Sequence, residues 1–202
     1  MLTDKQLKYK SLLEQEEDAR IESVFIYFVS TVLQKIKPGT LISIPKRYID
    51  TYQSKKDYFK SISGLEILEL TNNNQDTVWY VYDTSFLTEH LQCQGIKDLL
   101  EDNEYNNTKC LDTMLQTLTY RFKNSNFPHE VGVFLGYPLE DVKGFIKNKG
   151  HNCLACRFWK VYHDVENAMN MFAAIDNAQS TAVTLLTDNL SMNQVIEQLK
   201  IN

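Results

Sequence analysis

The sequence predicts an α+β fold in which a small sheet of about three strands packs against about seven helices. The strands are predicted from a hairpin pattern at residues 65–82 and from an aromatic segment at residues 157–162. The helices are predicted from apolar residues at helical spacing beside capping signals. The 202 residues include only 7 Gly and 4 Pro and no linker-like stretch, so we expect residues 1–202 to form a single domain.

The N-terminal third is predicted to be helical. Thr3 and Gln6 match a capping box, which predicts a polar helix that runs from Asp4 to about residue 19. Residues 21–36 are apolar on nearly every helical face, which is typical of a buried central helix. We expect Pro38-Gly39 to end that helix. Further along, residues 43–45 (Ser-Ile-Pro) resemble the start of a third helix.

The middle of the chain has two segments with the residue pattern of β-strands. Leu65–Leu70 and Val78–Tyr82 flank the turn-rich residues 72–76, which predicts a hairpin with a longish loop. Residues 98–107 are acidic and rich in Asn, so we expect a solvated surface segment there.

The remainder is predicted to be mainly helical, with one strand within residues 157–162. Helical spacing of apolar residues recurs after capping or turn residues. Helices are predicted after Asp83, at residues 111–122 and at residues 128–149, the last with a break at Gly136-Tyr137-Pro138. Two more are predicted after Asp164 and after Ser191, which forms a second capping box with Gln194.

Composition excludes several classes of protein. The N-terminal MLTDKQLKYK has no apolar signal-peptide core, and the longest apolar run, residues 24–29, is far shorter than the roughly 20 residues of a membrane span. The 4 Cys are then expected to be reduced thiols, so we expect a cytoplasmic protein that does not associate with a membrane. The net charge of −5 argues against nucleic-acid binding, which requires clustered Lys and Arg.

Residues 142–163 are nevertheless basic and aromatic. They contain five Lys or Arg and no Asp or Glu, interleaved with Phe145, Phe158, Trp159 and Tyr162. Such a surface could bind an anionic ligand, a nucleotide or a protein partner. The alternative is a solvated lysine face followed by a half-buried aromatic strand. The candidate ligand-binding residues are Lys143, Lys147, Arg157 and Trp159.

The same segment contains a possible metal or thiol site. Cys153 and Cys156 have the spacing of two zinc ligands, and His151 and His163 could complete a tetrahedral set. The thiol pair could instead support redox exchange, or could simply be semi-buried residues of a loop.

His129, followed by Glu130, could act as a base for a cysteine nucleophile, although no cysteine has an obvious nucleophile context. The other interpretation is that His129 packs on the first turn of its helix. The pair of helices at residues 128–149 also resembles a helix-turn-helix, but acids lie at the start of its second helix, so an ordinary helical hairpin explains it better.

Two motifs carry a resemblance to a known family. FPHEVGVFLGYPLEDVKGFIKNKG at residues 127–150, followed by FWKVY at residues 158–162, is similar to the signature of the bacterial domain of unknown function 3793, found mostly in anaerobic Firmicutes. Weaker similarity includes Lys37-Pro38, Val81-Tyr82 and residues 180–199. The resemblance implies the α+β fold and a bacterial source, and it implies no activity.

The resemblance also points to one departure. In the family a His-Cys pair precedes the Lys-Pro by about eight residues, whereas this chain has Phe28-Val29 there. Any chemistry of that pair should be missing here. The leading hypothesis is a non-catalytic protein that binds an unknown small anionic ligand or a protein partner through residues 142–163. The alternative is a thiol- or metal-dependent enzyme that uses Cys153, Cys156, His151 and His129, and the sequence identifies no cofactor.

Overall fold

A computed structural model describes residues 3–71, 77–106, 108–124, 127–188 and 190–201. It confirms the predicted α+β class. The α-helices in the described ranges are α1 (Asp4–Leu13), α2 (Glu17–Leu33), α3 (Ile49–Ser63), α4 (Thr84–Leu91), α5 (Gln94–Asp102), α6 (Leu111–Asn124), α7 (Val131–Phe134), α8 (Leu139–Asn148), α9 (Val165–Thr187) and α10 (Met192–Ile201). The strands are β1 (Gly39–Ile44), β2 (Glu66–Thr71), β3 (Thr77–Tyr82), β4 (Ala155–Cys156) and β5 (Lys160–Val161). A 3-10 turn, Lys46–Tyr48, precedes α3.

The main sheet is antiparallel and has the order β1-β3-β2. Tyr80 in the central strand is paired with Leu41 on one side and with Leu68 on the other. The predicted hairpin is therefore confirmed as β2 and β3, while its turn at residues 72–76 lies outside the described residues.

The third strand of this sheet is β1, and two sequence predictions were wrong on that point. Ser43 and Ile44 do not begin a helix, because Ile42 and Ile44 alternate into the core as strand residues. The predicted third helix exists but starts later, since Pro45 precedes the 3-10 turn that leads into α3. Within the predicted strand at 157–162, only Lys160–Val161 is extended, and it pairs with β4 in a separate two-stranded ribbon.

Both faces of the main sheet are covered by helices. Ile42, Ile67 and Trp79 point to one side and pack with α2, α3 and α10. Leu70 and Tyr80 point to the other side and pack with helices α4 to α8. The sheet is thus the middle of three layers, which explains why Trp79 and Tyr80 are both 0% exposed although they are adjacent in the chain.

Several helices begin at the capping residues that the sequence predicts. The Thr3–Gln6 capping box is present, and Asp83 accepts a hydrogen bond from the backbone N–H of Phe86 at the start of α4. Asp164 caps α9 in the same way, as predicted.

Some helix boundaries differ from the sequence-based expectation. α1 ends at Leu13 instead of continuing to about residue 19, and α2 ends at Leu33 because Lys35 has a left-handed backbone with φ of 55°. The acidic stretch at 98–107 is also less solvated than predicted, since α5 extends to Asp102 and Tyr105 is 1% exposed. Among the described residues, no helix has both the length and the apolar character needed to cross a bilayer.

Candidate functional site

A cavity of about 560 Å³ lies beside the sheet, between α2, β1, α8, α9 and the β4–β5 ribbon. Its wall is largely aromatic. The aromatic side chains in the wall include Phe28, Tyr137, Phe145, Phe158 and Trp159. Phe127 at the rim is 51% exposed and the side chain of Arg157 is 53% exposed, so the cavity opens to solvent at these residues.

Lys37 enters the cavity from the turn that follows α2. The carbonyl oxygen of Thr31 accepts hydrogen bonds from the backbone N–H groups of Ile36 and Lys37, at 3.0 and 3.1 Å. The left-handed Lys35 allows the chain to fold back in this way. Because a proline follows, the backbone of Lys37 is also restricted to extended conformations.

Pro38 anchors the other side of this turn. Its carbonyl oxygen accepts a hydrogen bond from the backbone N–H of Asp83 at 3.0 Å. Its ring packs directly against Gly136, which has φ of 74°, and a Cβ at that position would collide with the ring. The Gly136-Tyr137-Pro138 break between α7 and α8 therefore has a structural reason, because it brings Tyr137 beside Lys37.

The Lys37 ammonium is buried without a counter-ion. The residue is 8% exposed, and burial lowers the pKa of its amine from 10.5 to about 8. Its Nζ lies 5.4 Å from the centroid of the Tyr137 ring, close enough for a cation–π contact. Within the part of the chain that the structure describes, Nζ has no hydrogen bond and no ion pair. A charged group in this position lacks the partner that buried cations normally have.

Gln179 on α9 adds a second polar group to the cavity wall. Its Oε1 accepts hydrogen bonds from Lys5 Nζ at 2.8 Å and from the Tyr27 hydroxyl at 2.9 Å. An ammonium can only donate, so this pairing fixes which end of the amide is the oxygen. The Nε2 donor then has no acceptor among the described residues, and Gln179 is only 8% exposed.

Asp141 is the acid of the cavity wall, and its oxygens are already in use. It is 3% exposed, and Oδ2 accepts a hydrogen bond from Trp159 Nε1 at 2.8 Å. Oδ1 accepts from the backbone N–H groups of Tyr162 and His163, at 2.7 and 3.1 Å. This single carboxylate fixes the end of the ribbon to the first turn of α8.

Trp159 is held tightly in the wall. Its ring stacks on Tyr137 with centroids 4.8 Å apart and meets Phe172 edge-on at 4.4 Å. It is 7% exposed and lines the cavity.

The predicted basic residues separate into two groups. Arg157 and Lys160 line the cavity, but Arg157 forms an ion pair with Asp176 and Lys160 donates to the Gly150 carbonyl at 2.6 Å. Lys143 pairs with Glu140 at 3.3 Å on the exposed side of α8. Lys147 is exposed on the same helix and, like Lys143, is not part of the cavity wall.

The predicted thiol and metal residues also separate. His129 and Cys156 both line the cavity, while Cys153, His151 and His163 lie outside it. His129 packs edge-on against Phe145 with centroids 4.9 Å apart. No hydrogen bond joins His129 to Cys156 in the described ranges, and no three His, Cys, Asp or Glu side chains there are grouped as metal ligands. The metal and thiol sets therefore stay predictions.

Sequence reasoning missed Lys37, Gln179 and Asp141 as site residues. Lys37-Pro38 was singled out only for its family resemblance, and nothing in the sequence distinguishes Gln179 from other helical glutamines. At the two positions where the family resemblance led us to expect a His-Cys pair, Phe28 lines the cavity and Val29 is 0% exposed.

Comparisons with known proteins give one match. A family model described as Protein of unknown function (DUF3793) matches residues 25–196. Searches of curated proteins and of solved structures found no match. The matched range includes Lys37, Asp141, Trp159 and Gln179 and covers most of the 202 residues. The resemblance is thus confirmed, and the chain belongs to the DUF3793 family of proteins of unknown function.

Proposed function

We propose that this protein binds a small organic anion with a flat apolar body in the cavity, with the anionic group on Lys37. One observation supports the proposal above all others. Lys37 is 8% exposed as a residue, lines the cavity, and its ammonium has no counter-ion among the described residues.

The energetics favour an anion at this position. A buried charge without a partner is destabilising, and a neighbouring opposite charge removes much of that cost. A pKa of about 8 keeps most Lys37 side chains protonated at neutral pH, so the ammonium is the form that a ligand meets. The Asp141 carboxylate is occupied by three donors and is not placed to serve as its counter-ion.

Other residues of the cavity wall also favour a ligand in which an oxyanion is attached to a flat apolar group. The Gln179 Nε2 donor and the Thr40 hydroxyl, neither of which has a partner within the described residues, can both donate to a carboxylate or phosphate oxygen. The stacked pair of Tyr137 and Trp159, together with Phe145, provides faces on which a planar group can pack.

The size of the cavity favours a small molecule over a protein partner. Ligand pockets typically have volumes of about 300–1,000 Å³, and this one is about 560 Å³. The segment 142–163 keeps a role in the proposal, since Trp159 forms part of the cavity wall and Arg157, which is paired with Asp176, lies at the mouth. Lys143 and Lys147 are not part of the proposed site.

Isothermal titration calorimetry with matched probes tests the proposal. The probes are 3-phenylpropionate, phenyl phosphate and the uncharged 3-phenylpropanamide. We expect at least one of the two anions to bind and the amide to bind at least about ten-fold more weakly, since a hydrogen-bonded charge contributes about 1.5–3 kcal/mol.

Two variants assign the binding to a residue. Lys37→Met should abolish the preference for the anion, whereas Lys147→Met, at an exposed lysine outside the cavity, should bind as the natural protein does. Equal affinity for the carboxylate and the amide, or full retention of anion binding in Lys37→Met, would contradict the proposal.

A further inference from the structure

We propose that Lys37 is a covalent amine nucleophile, which forms an imine with the carbonyl carbon of a 2-oxo acid bound in the cavity. This inference rests on the proposed function, because the carboxylate of such an acid would first be drawn in by the Lys37 ammonium. It goes further, because it assigns a reaction to the same side chain.

The surroundings of Lys37 are those that make a lysine reactive. The amine is buried beside the aromatic ring of Tyr137 and has no ion pair with any described residue, so no carboxylate holds it in the protonated form. Lysines in apolar pockets lose their proton more readily than solvated ones, which is the usual basis of Schiff-base chemistry. The cavity is open at the rim, where Phe127 is 51% exposed, so a small carbonyl compound can reach the amine.

The lowered pKa gives the size of the effect. At a pKa of about 8, roughly a tenth of the Lys37 side chains are neutral amines at pH 7. An ordinary lysine, with a pKa of about 10.4, is neutral in roughly one molecule in 2,500 at the same pH. The neutral fraction is therefore enhanced roughly 200-fold, although a less basic amine is also a somewhat weaker nucleophile.

A 2-oxo acid suits both the protonated and the neutral form of the Lys37 side chain. Its carboxylate suits the ammonium, and its carbonyl carbon is directly bonded to that carboxylate. A carboxylate paired with Lys37 thus brings the electrophile next to the nitrogen, which acts once it has lost its proton. The Gln179 Nε2 donor can hold the carboxylate when the nitrogen turns to the carbonyl carbon.

The reaction is balanced without an oxidant or reductant. The nitrogen lone pair forms a C–N bond, and the carbonyl π electrons move to oxygen. The oxygen takes up a proton and the nitrogen loses one, which gives a carbinolamine. The hydroxyl group then leaves as water after a second protonation, and the C=N bond forms. Apart from the protons exchanged with solvent, the products are one imine and one water. The protonated imine keeps the positive charge beside the carboxylate.

Reductive trapping of the natural protein tests this inference. The protein is incubated at pH 7.5 with phenylpyruvate and sodium cyanoborohydride, and the modified lysines are quantified by peptide mass spectrometry. Lys147, which is exposed on α8, serves as the reference within the same molecule. We expect at least about ten-fold more trapping at Lys37 than at Lys147, because more of the buried amine is neutral.

The outcomes separate this inference from the proposed function. Excess 3-phenylpropionate should protect Lys37 and leave Lys147 unaffected, which supports both. If calorimetry shows that 3-phenylpropionate binds but Lys37 is trapped no more than Lys147, the imine is overturned and the proposed function stands. If neither 3-phenylpropionate nor phenyl phosphate binds and trapping is uniform, both are overturned. No variant is needed, so a folding defect cannot obscure the result.

Discussion

Replacing Lys37 by Met should make the protein more stable at neutral pH. Burial lowers the pKa of the Lys37 amine from 10.5 to about 8, which corresponds to about 3 kcal/mol of unfavourable free energy in the folded protein. Met has a similar length and no charge to bury. The variant loses the cation–π contact with Tyr137, which contributes about 1 kcal/mol. We therefore expect a net gain of about 2 kcal/mol in the free energy of unfolding at pH 7.

The gain should depend on pH in a defined direction. Below pH 8 both the folded and the unfolded lysine are protonated, so the full cost of burial is present. Between pH 8 and 10.5 the unfolded chain binds more protons than the folded chain, so the stability contributed by Lys37 rises with pH. The advantage of Lys37→Met should accordingly be largest below pH 8 and should shrink as the pH approaches 10.5.

Urea denaturation of both proteins at pH 7.0, 8.0, 9.0 and 10.0 measures the difference. Taking the difference cancels groups common to both proteins, such as Tyr9 and Tyr82, where burial raises the pKa to about 12. Lys147→Met, at an exposed lysine, serves as a control and should change stability by less than about 0.5 kcal/mol at every pH. A Lys37→Met variant that is less stable at pH 7, or whose difference does not change with pH, would refute the reasoning.

Three further substitutions test the core, the Asp141 anchor and the cap of α4. Phe25→Ala should destabilise the protein by about 3–5 kcal/mol in urea denaturation, because Phe25 is 0% exposed and stacks on Phe59 at 4.1 Å; a loss below about 1 kcal/mol would argue against that core. Asp141→Asn should cost about 2 kcal/mol and shift Trp159 emission to longer wavelength, because an amide cannot accept all three hydrogen bonds; unchanged emission would argue against that anchor. Asp83→Ala should cost about 1 kcal/mol through loss of the α4 cap, and a neutral result would show that the cap is dispensable.

Features set by a few neighbouring residues were predictable from the sequence. The Thr3–Gln6 box and the Asp164 cap depend on hydrogen bonds across one turn, and both occur as expected. The β2–β3 hairpin follows from alternation on either side of turn residues. In each case the interacting groups are close in the chain, so the local pattern contains the information.

Features set by distant residues were not predictable. β1 was missed because its pairing with β3 joins residues about 40 positions apart, and the Ser-Ile-Pro motif beside it also suits a helix start. The state of Lys37 depends on Gly136 and Tyr137, which reach it only through the tertiary fold. The basic segment at 142–163 suggested an anion site, but Lys37, a buried cation with no ion pair among the described residues, lies outside that segment.

A direct measurement is the pKa of Lys37 with and without an organic anion. Isotope-labelled lysine side chains can be titrated by NMR, and Lys37 can be assigned by its absence from Lys37→Met. Without ligand we expect a pKa of about 8. Saturating 3-phenylpropionate should raise this pKa towards the ordinary lysine value, because an adjacent carboxylate favours the charged form. An ordinary lysine pKa in the free protein, or a value that does not move when the anion is added, would contradict an anion site at Lys37.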